Sequence, residues 1–170
     1  MSVPTGTQTS WVRVGIGEFA VSDRPEDTII TAALGSCVAV CIFDPVAGVA
    51  GMLHFLLPDQ RSNPVRAKEE PAAFADLGIP QLFRAAYQIG AVKGRLQVWI
   101  VGGADMTGNI REDVVKMGQR NILAARSILW RNGIMIRGEA VGGNSPRTVT
   151  LAVANGQITV KADGRIVSDL

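Results

Sequence analysis

The stretch LGSCVAVCIFDPVAGVAGMLHFLLP, residues 34–58, holds both cysteines and the single histidine of the 170-residue chain. Apolar and β-branched residues fill positions 38–43 and again 49–57. The sequence DPVAG between these two runs is a typical turn signal. The stretch therefore predicts a β-hairpin, which would bring Cys37 and His54 to the same end of a sheet.

Outside this hairpin, the pattern of apolar residues predicts both strands and helices. Spacings of three and four predict one helix over residues 80–92 and a second that ends at Asn132-Gly133. The second helix begins either at a capping box formed by Asn109 and Glu112 or near Gly118. Further strands are predicted at residues 12–16, 96–101, 134–141, 149–153 and 158–160, and residues 29–33 form a short apolar run.

Three connecting segments carry signals of their own. Residues 59–73 are polar and contain two prolines, so we expect a mobile surface loop there. Asn155-Gly156 predicts a type I′ hairpin turn, because both residues tolerate a positive φ. The Gly-Gly pairs at 102–103 and 142–143 lack the Lys-Ser/Thr that follows in a phosphate-binding loop, which favours tight backbone turns instead.

The composition is that of a compact globular protein, with 47% hydrophobic and 19% charged residues. We expect a flexible tail over residues 1–10 and a single domain over residues 11–170. The net charge of +2 is spread along the chain, which argues against a nucleic-acid surface. No apolar stretch reaches the ~18 residues of a membrane helix, and no signal peptide is visible. A cytoplasmic protein with reduced thiols, not inserted in a membrane, is expected.

The cysteines and the histidine allow three interpretations. A metal site is disfavoured, because three ligands are too few for a closed zinc site and Cys37 and Cys41 would lie about 13 Å apart on one strand. Burial as a small apolar residue fits Cys41 well, since valine and isoleucine flank it. Cys37 follows Gly35-Ser36 at the point where a loop enters a strand. Backbone N–H groups there are not yet paired in a sheet and could stabilise an oxyanion. The residues alone are compatible with a catalytic Cys37–His54 pair and equally with a structural role for both residues.

Several blocks of the sequence resemble one known family. The segments LGSCVAVCIFDP and GMLHFLLP are similar to the core signature of the CheD family, the chemoreceptor glutamine deamidases of bacterial chemotaxis. The resemblance extends from about Val12 to about Val160. Further similar blocks, in the same order, are GIGEFAVS at 15–22, VGGADM at 101–106, GQRN at 118–121 and VGGNSPRTV at 141–149. The segment DQRSNPVRAKEEPAAFADLGIP, residues 59–80, departs from the expected form, which leaves substrate preference open.

The resemblance implies a site. The family's nucleophilic cysteine corresponds to Cys37, its general base to His54 and the threonine of its triad to Thr31, with Thr28 as a lower-ranked alternative. Ser36 and Gly35 are candidates for shaping the site or its oxyanion hole. We expect the catalytic side chains to be exposed, so that substituting them by alanine costs less than about 1 kcal/mol.

The resemblance also implies a fold, an activity and partners. The fold would be α+β, a layered α/β/β sandwich similar to the deamidase domain of the cytotoxic necrotizing factor toxins. The activity would be conversion of specific glutamines to glutamates on the cytoplasmic helices of chemoreceptors (methyl-accepting chemotaxis proteins), with release of ammonia and without cofactor or metal. A CheC-type phosphatase is an implied partner. The alternative is a non-catalytic module that docks on receptors or on such a phosphatase.

Overall fold

A computed structural model describes residues 8–106 and 116–170, which form a mixed α+β fold with two five-stranded sheets. The strands are β1 Ser10–Arg13, β2 Glu18–Ser22, β3 Asp27–Leu34, β4 Val38–Asp44, β5 Val49–Phe55, β6 Gln97–Gly102, β7 Ile136–Val141, β8 Arg147–Ala152, β9 Ile158–Ala162 and β10 Arg165–Asp169. The α-helices within these ranges are α1 Pro64–Glu69, α2 Ala75–Gln88 and α3 Met117–Arg131.

The two sheets differ in their place in the molecule. The central sheet has the order β2-β5-β4-β6-β7, and the outer sheet has the order β1-β3-β8-β9-β10. Neighbouring strands run antiparallel except β1 with β3 and β6 with β7, which are parallel. The predicted hairpin of residues 34–58 is confirmed as β4 and β5 at the middle of the central sheet.

Both faces of the central sheet are buried, which explains the unbroken apolar runs in its two hairpin strands. One face packs against α2 and α3, and Val40 of β4 lies in the same core as Leu82 and Ile122 of these helices. The other face packs against the outer sheet, with Cys41 in the same core as Leu151. Helices, central sheet and outer sheet therefore form three successive layers.

The turn between β4 and β5 is anchored by a buried carboxylate. Asp44 accepts hydrogen bonds from the backbone N–H groups of Val46, Ala47 and Val92 and forms an ion pair with Arg95. Burial opposes ionisation, but the Arg95 guanidinium and the three N–H groups outweigh it and hold the pKa of Asp44 well below its ordinary value. The hairpin is thus tied to the chain that leads into β6.

The first long helix begins earlier than predicted. It spans Ala75–Gln88 instead of residues 80–92, with Pro80 inside it. Proline is favoured in the first turn of a helix, which is why the predicted start fell at Pro80. The end also falls earlier, because Gly90 adopts a φ of 108° that the helix cannot continue.

The interpretation of residues 59–73 as a plain loop is wrong. Residues Pro64–Glu69 form α1, and the side chain of Asn63 caps it by accepting a hydrogen bond from the Arg66 backbone N–H. Asn followed by Pro is a helix-start signal, with the proline at the first helical position. Ala67 is buried and belongs to a small core with Phe74.

The prediction of a type I′ turn at Asn155-Gly156 is also wrong. The hairpin of β8 and β9 exists, but Gly156 has a positive φ and Asn155 does not. A two-residue turn with positive φ at both positions occurs one hairpin later. Asp163 and Gly164 have φ values of 51° and 73° and join β9 to β10.

The ends of the described ranges bear on two further expectations. The described part of α3 begins at Met117, near the alternative start at Gly118, whereas the capping box of Asn109 and Glu112 lies outside the described residues. Residues 1–7 of the expected tail also lie outside them, and β1 begins at Ser10. Among the described helices, none is long and apolar enough to cross a membrane.

Candidate active site

The histidine lies at the centre of the fold. His54 is in β5, where it pairs with Ala39 of β4 on one side and Glu18 of β2 on the other. Because alternate residues of a strand point to opposite faces, its side chain shares the face of Ala39 and Met52, which is covered by the outer sheet. Only 1% of His54 is exposed.

A threonine of the outer sheet holds the imidazole. Thr31 Oγ1 donates to the Val14 carbonyl at 2.6 Å and lies 2.7 Å from His54 Nδ1. Since the single hydroxyl proton is used on Val14, Oγ1 accepts from Nδ1–H, and this network assigns the tautomer. His54 Nε2 is then unprotonated, and it has no hydrogen-bond partner within the described ranges. Thr28 makes no such contact, since it lies three residues earlier in β3.

The candidate nucleophile lies diagonally across from the imidazole. Cys37 immediately precedes β4, two residues before the Ala39 that pairs directly with His54. Positions 37, 39 and 54 share one face of the sheet, and diagonal neighbours of this kind lie about 7–8 Å apart between Cα atoms. Thr31 therefore contacts His54 directly, and Cys37 lies on the same face of the sheet at that end of the hairpin. No hydrogen bond joins Cys37 to His54 Nε2.

Burial keeps both reacting groups neutral. It raises the pKa of the Cys37 thiol, and it lowers the pKa of His54 to about 4. At neutral pH the resting site therefore holds a thiol and an unprotonated imidazole instead of a thiolate–imidazolium pair. This arrangement can carry out chemistry in which the imidazole takes the thiol proton during attack.

The backbone around Cys37 is fixed on one side and free on the other. The Gly103 N–H donates to the Cys37 carbonyl, and the Ala104 N–H donates to the Gly35 carbonyl, both at 2.7 Å. The Gly35 N–H donates to Ala33, so it is not available to an oxyanion. Neither the Ser36 nor the Cys37 N–H has an acceptor among residues 8–106 and 116–170. These two groups are the candidate oxyanion donors.

The strand that leads to Cys37 is strained beside the site. The pairing of β3 with β8 is interrupted by a bulge between Thr31 and Leu34. Within the bulge Ala33 has a φ of 56°, a left-handed conformation that is costly for a residue with a Cβ atom. The bulge redirects the chain from the outer sheet toward the Gly35-Ser36-Cys37 segment.

A cleft reaches the base from the outside. It has a volume of about 280 Å³ and is open to solvent between the first strands of the outer sheet. Its walls are formed by Arg13, Val14, Gly15, Ile16, Ile30, Thr31, Ala32 and His54. Thr31 and His54 thus contribute to the wall of a cleft that opens to solvent.

Sequence reasoning missed one polar side chain next to these residues. Asn121 of α3 is fully buried, and its Nδ2 donates to the carbonyl oxygens of Ser36 and Leu56, each at 2.9 Å. It falls on the same helix face as Ile122 and Ala125, which face the central sheet. A polar residue within an apolar helical stripe is the signal that could have identified it.

Cys41 is a core residue, as predicted. It is fully buried between Met52 and Trp99 of the neighbouring strands, and burial raises its pKa to about 12. Within the part of the chain that the structure describes, no group of three His, Cys, Asp or Glu side chains could hold a metal ion.

The expectation of exposed catalytic side chains is wrong. Cys37 is 6% exposed, and Thr31 and His54 are buried as well. The reason is that the outer sheet covers the face of the hairpin that carries them. His54→Ala therefore leaves a cavity and removes the hydrogen-bond partner of Thr31 Oγ1. We expect it to lower the free energy of unfolding by about 2 kcal/mol, more than the ~1 kcal/mol inferred from the sequence.

Comparisons with known proteins bear on this site. A family model described as CheD chemotactic sensory transduction matches residues 56–162, more than half of the chain. The chain belongs to the CheD family. The resemblance stated from the sequence blocks is thereby confirmed.

The curated relatives of this CheD chain cover nearly its whole length. A protein of Syntrophus aciditrophicus named "Probable chemoreceptor glutamine deamidase CheD 1" is 42% identical over 94% of this chain and 98% of its own. Its counterpart in Solibacter usitatus is 43% identical over 89% of both chains. An archaeal relative, from Pyrococcus abyssi, is 37% identical over 90% of this chain and 92% of its own.

Among solved structures, the hypothetical protein YfiH of Bacillus licheniformis is similar to this chain. The similarity covers 81% of this chain and 61% of that chain, with a TM-score of 0.46 and 14% sequence identity.

Proposed function

We propose that this CheD-family protein deamidates specific glutamine side chains of bacterial chemoreceptors to glutamates. The relatives' names give the substrate class. The observation that carries the proposal is the hydrogen bond of Thr31 to His54 Nδ1, which leaves Nε2 unprotonated on a side chain that shares its face of the sheet with Cys37. A base held in this tautomer beside a thiol is the arrangement that acyl transfer through a cysteine requires.

The proposed reaction begins with attack on the side-chain amide. His54 Nε2 takes the proton of the Cys37 thiol as Sγ bonds to Cδ of the glutamine, and the amide oxygen becomes an oxyanion. The backbone N–H groups of Cys37 and Ser36 supply hydrogen bonds to that oxygen. Thr31 stabilises the imidazolium that forms, since its hydroxyl oxygen accepts from Nδ1–H.

The second half of the reaction releases both products. The imidazolium gives its Nε2 proton to the departing NH₂ group, the C–N bond breaks, and ammonia leaves a thioester on Cys37. A water molecule, deprotonated by Nε2, attacks the thioester carbonyl, the C–S bond breaks, and the thiolate recovers the proton. The net change is amide plus water to carboxylic acid plus ammonia. A neutral resting pair suits this cycle, because no standing charge has to be stabilised in the buried site.

The proposal extends to partners and setting. The substrate would be the cytoplasmic helices of the receptors, which sets the protein in the cytoplasm, and a CheC-type phosphatase would bind it. The chain would act as one domain over residues 11–170. The similarity to the deamidase domain of the cytotoxic necrotizing factors stays a prediction.

Mass spectrometry of a co-expressed receptor fragment tests the proposal. Conversion of an amide to an acid adds about 1 Da, so wild-type protein is expected to shift specific glutamine peptides by that mass. Cys37→Ala is expected to abolish the shift. Hydrolysis is separated from amine transfer by adding a fluorescent primary amine, whose incorporation would contradict deamidation. A wild-type protein that binds the fragment without changing its mass would favour the docking module.

A further inference from the structure

Asn121 connects the two segments that carry the reacting groups. Its side-chain amide donates one hydrogen bond to the Ser36 carbonyl and one to the Leu56 carbonyl. Ser36 directly precedes Cys37, and Leu56 follows His54 by two residues. One amide group therefore holds the start of β4 and the end of β5 at a fixed separation, at the end of the hairpin where the site lies.

The bond to Ser36 also orients a candidate oxyanion donor. In a trans peptide unit, the carbonyl of one residue and the N–H of the next point in opposite directions. The peptide that joins Ser36 to Cys37 has its carbonyl fixed toward Asn121, so the Cys37 N–H points away from α3. That N–H has no acceptor among the described residues, which leaves it free for a substrate oxygen.

One atom of the buried Asn121 side chain opposes folding. Both acceptors are carbonyl oxygens, which fixes Nδ2 toward them and leaves Oδ1 buried without a hydrogen-bond partner within the ranges described. An unpartnered buried oxygen destabilises a protein, and its apolar neighbours on this helix face pack without that cost. A buried polar atom kept in this way calls for an explanation outside packing.

From these contacts we infer that Asn121 is a positioning residue for the deamidation: it fixes the peptide that carries the Cys37 N–H and the spacing between Cys37 and His54. The inference rests on the proposed function. It assigns no contact between Asn121 and the substrate, so loss of its amide should lower kcat and leave KM nearly unchanged.

The test compares two Asn-to-Asp substitutions on the same helix. Asn121→Asp keeps the shape but replaces the donating NH₂ by an oxygen that faces two carbonyls. Asn132→Asp is the control for exchanging an amide for an acid, since Asn132 is an exposed residue that caps the far end of α3 and its Nδ2 donates to a single carbonyl, that of Ile128 at 2.7 Å. Deamidation kinetics on a receptor fragment and amide hydrogen exchange at Gly103 and Ala104 are measured for both.

We expect Asn121→Asp to lower kcat by about 10²-fold, the size of effect that small misplacements of reacting groups produce. Exchange at Gly103 and Ala104, whose N–H groups bond to the segment around Cys37, should accelerate. The control should change neither quantity, and the melting temperature of each variant is measured alongside so that an effect of stability on kcat is recognised. Asn121→Ser, which is neutral and keeps one donor, gives an intermediate kcat and serves as the folded variant if the buried carboxylate prevents folding.

Two outcomes would overturn the inference. One is a kcat within about twofold of wild type in a folded Asn121 variant, and the other is an equal loss of kcat in Asn132→Asp, which would reduce the effect to stability. Failure of the proposed function has a different signature, because wild-type protein itself would then leave the receptor mass unchanged.

Discussion

At the scale of single residues, the protonation of His54 should be visible in stability. Its pKa is about 4 in the folded protein, against 6.5 for an ordinary histidine. Protonation therefore favours the unfolded chain, and the stabilising effect of the neutral ring is complete above pH 6.5 and lost as the pH falls toward 4. We expect a loss of roughly 3 kcal/mol over this window, at about 1.4 kcal/mol per pH unit.

Urea denaturation of wild type and His54→Gln at several pH values measures this effect. Glutamine does not titrate, and all other groups contribute equally to both proteins. The difference in free energy of unfolding should therefore change with pH between 6.5 and 4 and stay constant above pH 7. A constant difference throughout would mean that the imidazole is not buried in its neutral form.

Thr31 can be tested without changing the shape of the site. Thr31→Val removes the hydroxyl that bonds to both Val14 and His54, so the imidazole is free to adopt the other tautomer with its proton on Nε2. We expect kcat for deamidation to fall by about 10- to 100-fold, because the wrong tautomer cannot act as base. Thr31→Ser keeps the hydroxyl and should retain most of the activity, and equal activity of the valine and serine variants would contradict the orienting role.

The two cysteines should respond in opposite ways. Cys41→Val replaces a buried thiol between Met52 and Trp99 by an apolar side chain of similar size. We expect a loss of about 1 kcal/mol in the free energy of unfolding and nearly full activity. Cys37→Ala should be inactive and still fold. An inactive but well-folded Cys41→Val would show that the second cysteine takes part in the chemistry.

At the scale of elements, the position of α3 depends on a glycine. A Cβ atom at Gly118 would fall against the carbonyl oxygen of Gly103 and 2.7 Å from that of Ala104. Backbone cannot yield as a side chain does, so Gly118→Ala must move the helix. We expect a loss of about 2 kcal/mol and a reduced kcat, because Asn121 moves with the helix.

Gly94→Ala is the matched substitution for this test. Nothing lies within 4 Å of a Cβ atom at Gly94, and its φ is not in the left-handed region. It should leave stability and activity unchanged in urea denaturation and deamidation assays. A Gly118→Ala protein as stable as the control would mean that α3 packs less closely on the Gly102-Gly103 turn than the structure indicates.

The elements also show what can be predicted from sequence. The hairpin of β4 and β5 was predictable because strong β-formers flank a clear turn. The start of α2 was not, because Pro80 is a helix-start signal that the fold accommodates in a later turn. Asp163-Gly164 shows that a type I′ turn follows from two residues with positive φ, whereas the loop around Asn155 contains only one. Where two local sequence signals are of similar strength, the pairing of strands elsewhere in the sheet decides which of them takes effect.

At the scale of the whole molecule, the candidate site draws on all three layers. Thr31 comes from the outer sheet, Cys37 and His54 from the central sheet, and Asn121 from the helical layer. The family resemblance predicted Thr31, Cys37 and His54 as site residues. The contact between Thr31 and His54 could not be derived from the sequence, because it joins different sheets and depends on how β3 and β5 stack. Asn121 lies in the block GQRN that resembles the family, but the resemblance assigned it no role, and its role was inferred from its contacts.

The buried, protonated state of Cys37 has a consequence for oxidative damage. Peroxides react with thiolates, and an ordinary cysteine is already only a few per cent thiolate at pH 7. Burial raises the pKa of Cys37 and lowers that fraction further, because it outweighs the opposing effects of the Cys37 backbone N–H and the Arg66 guanidinium. Cys37 is thus expected to form sulfenic acid more slowly than a cysteine of ordinary pKa. Under the proposed mechanism it becomes reactive only as His54 removes its proton.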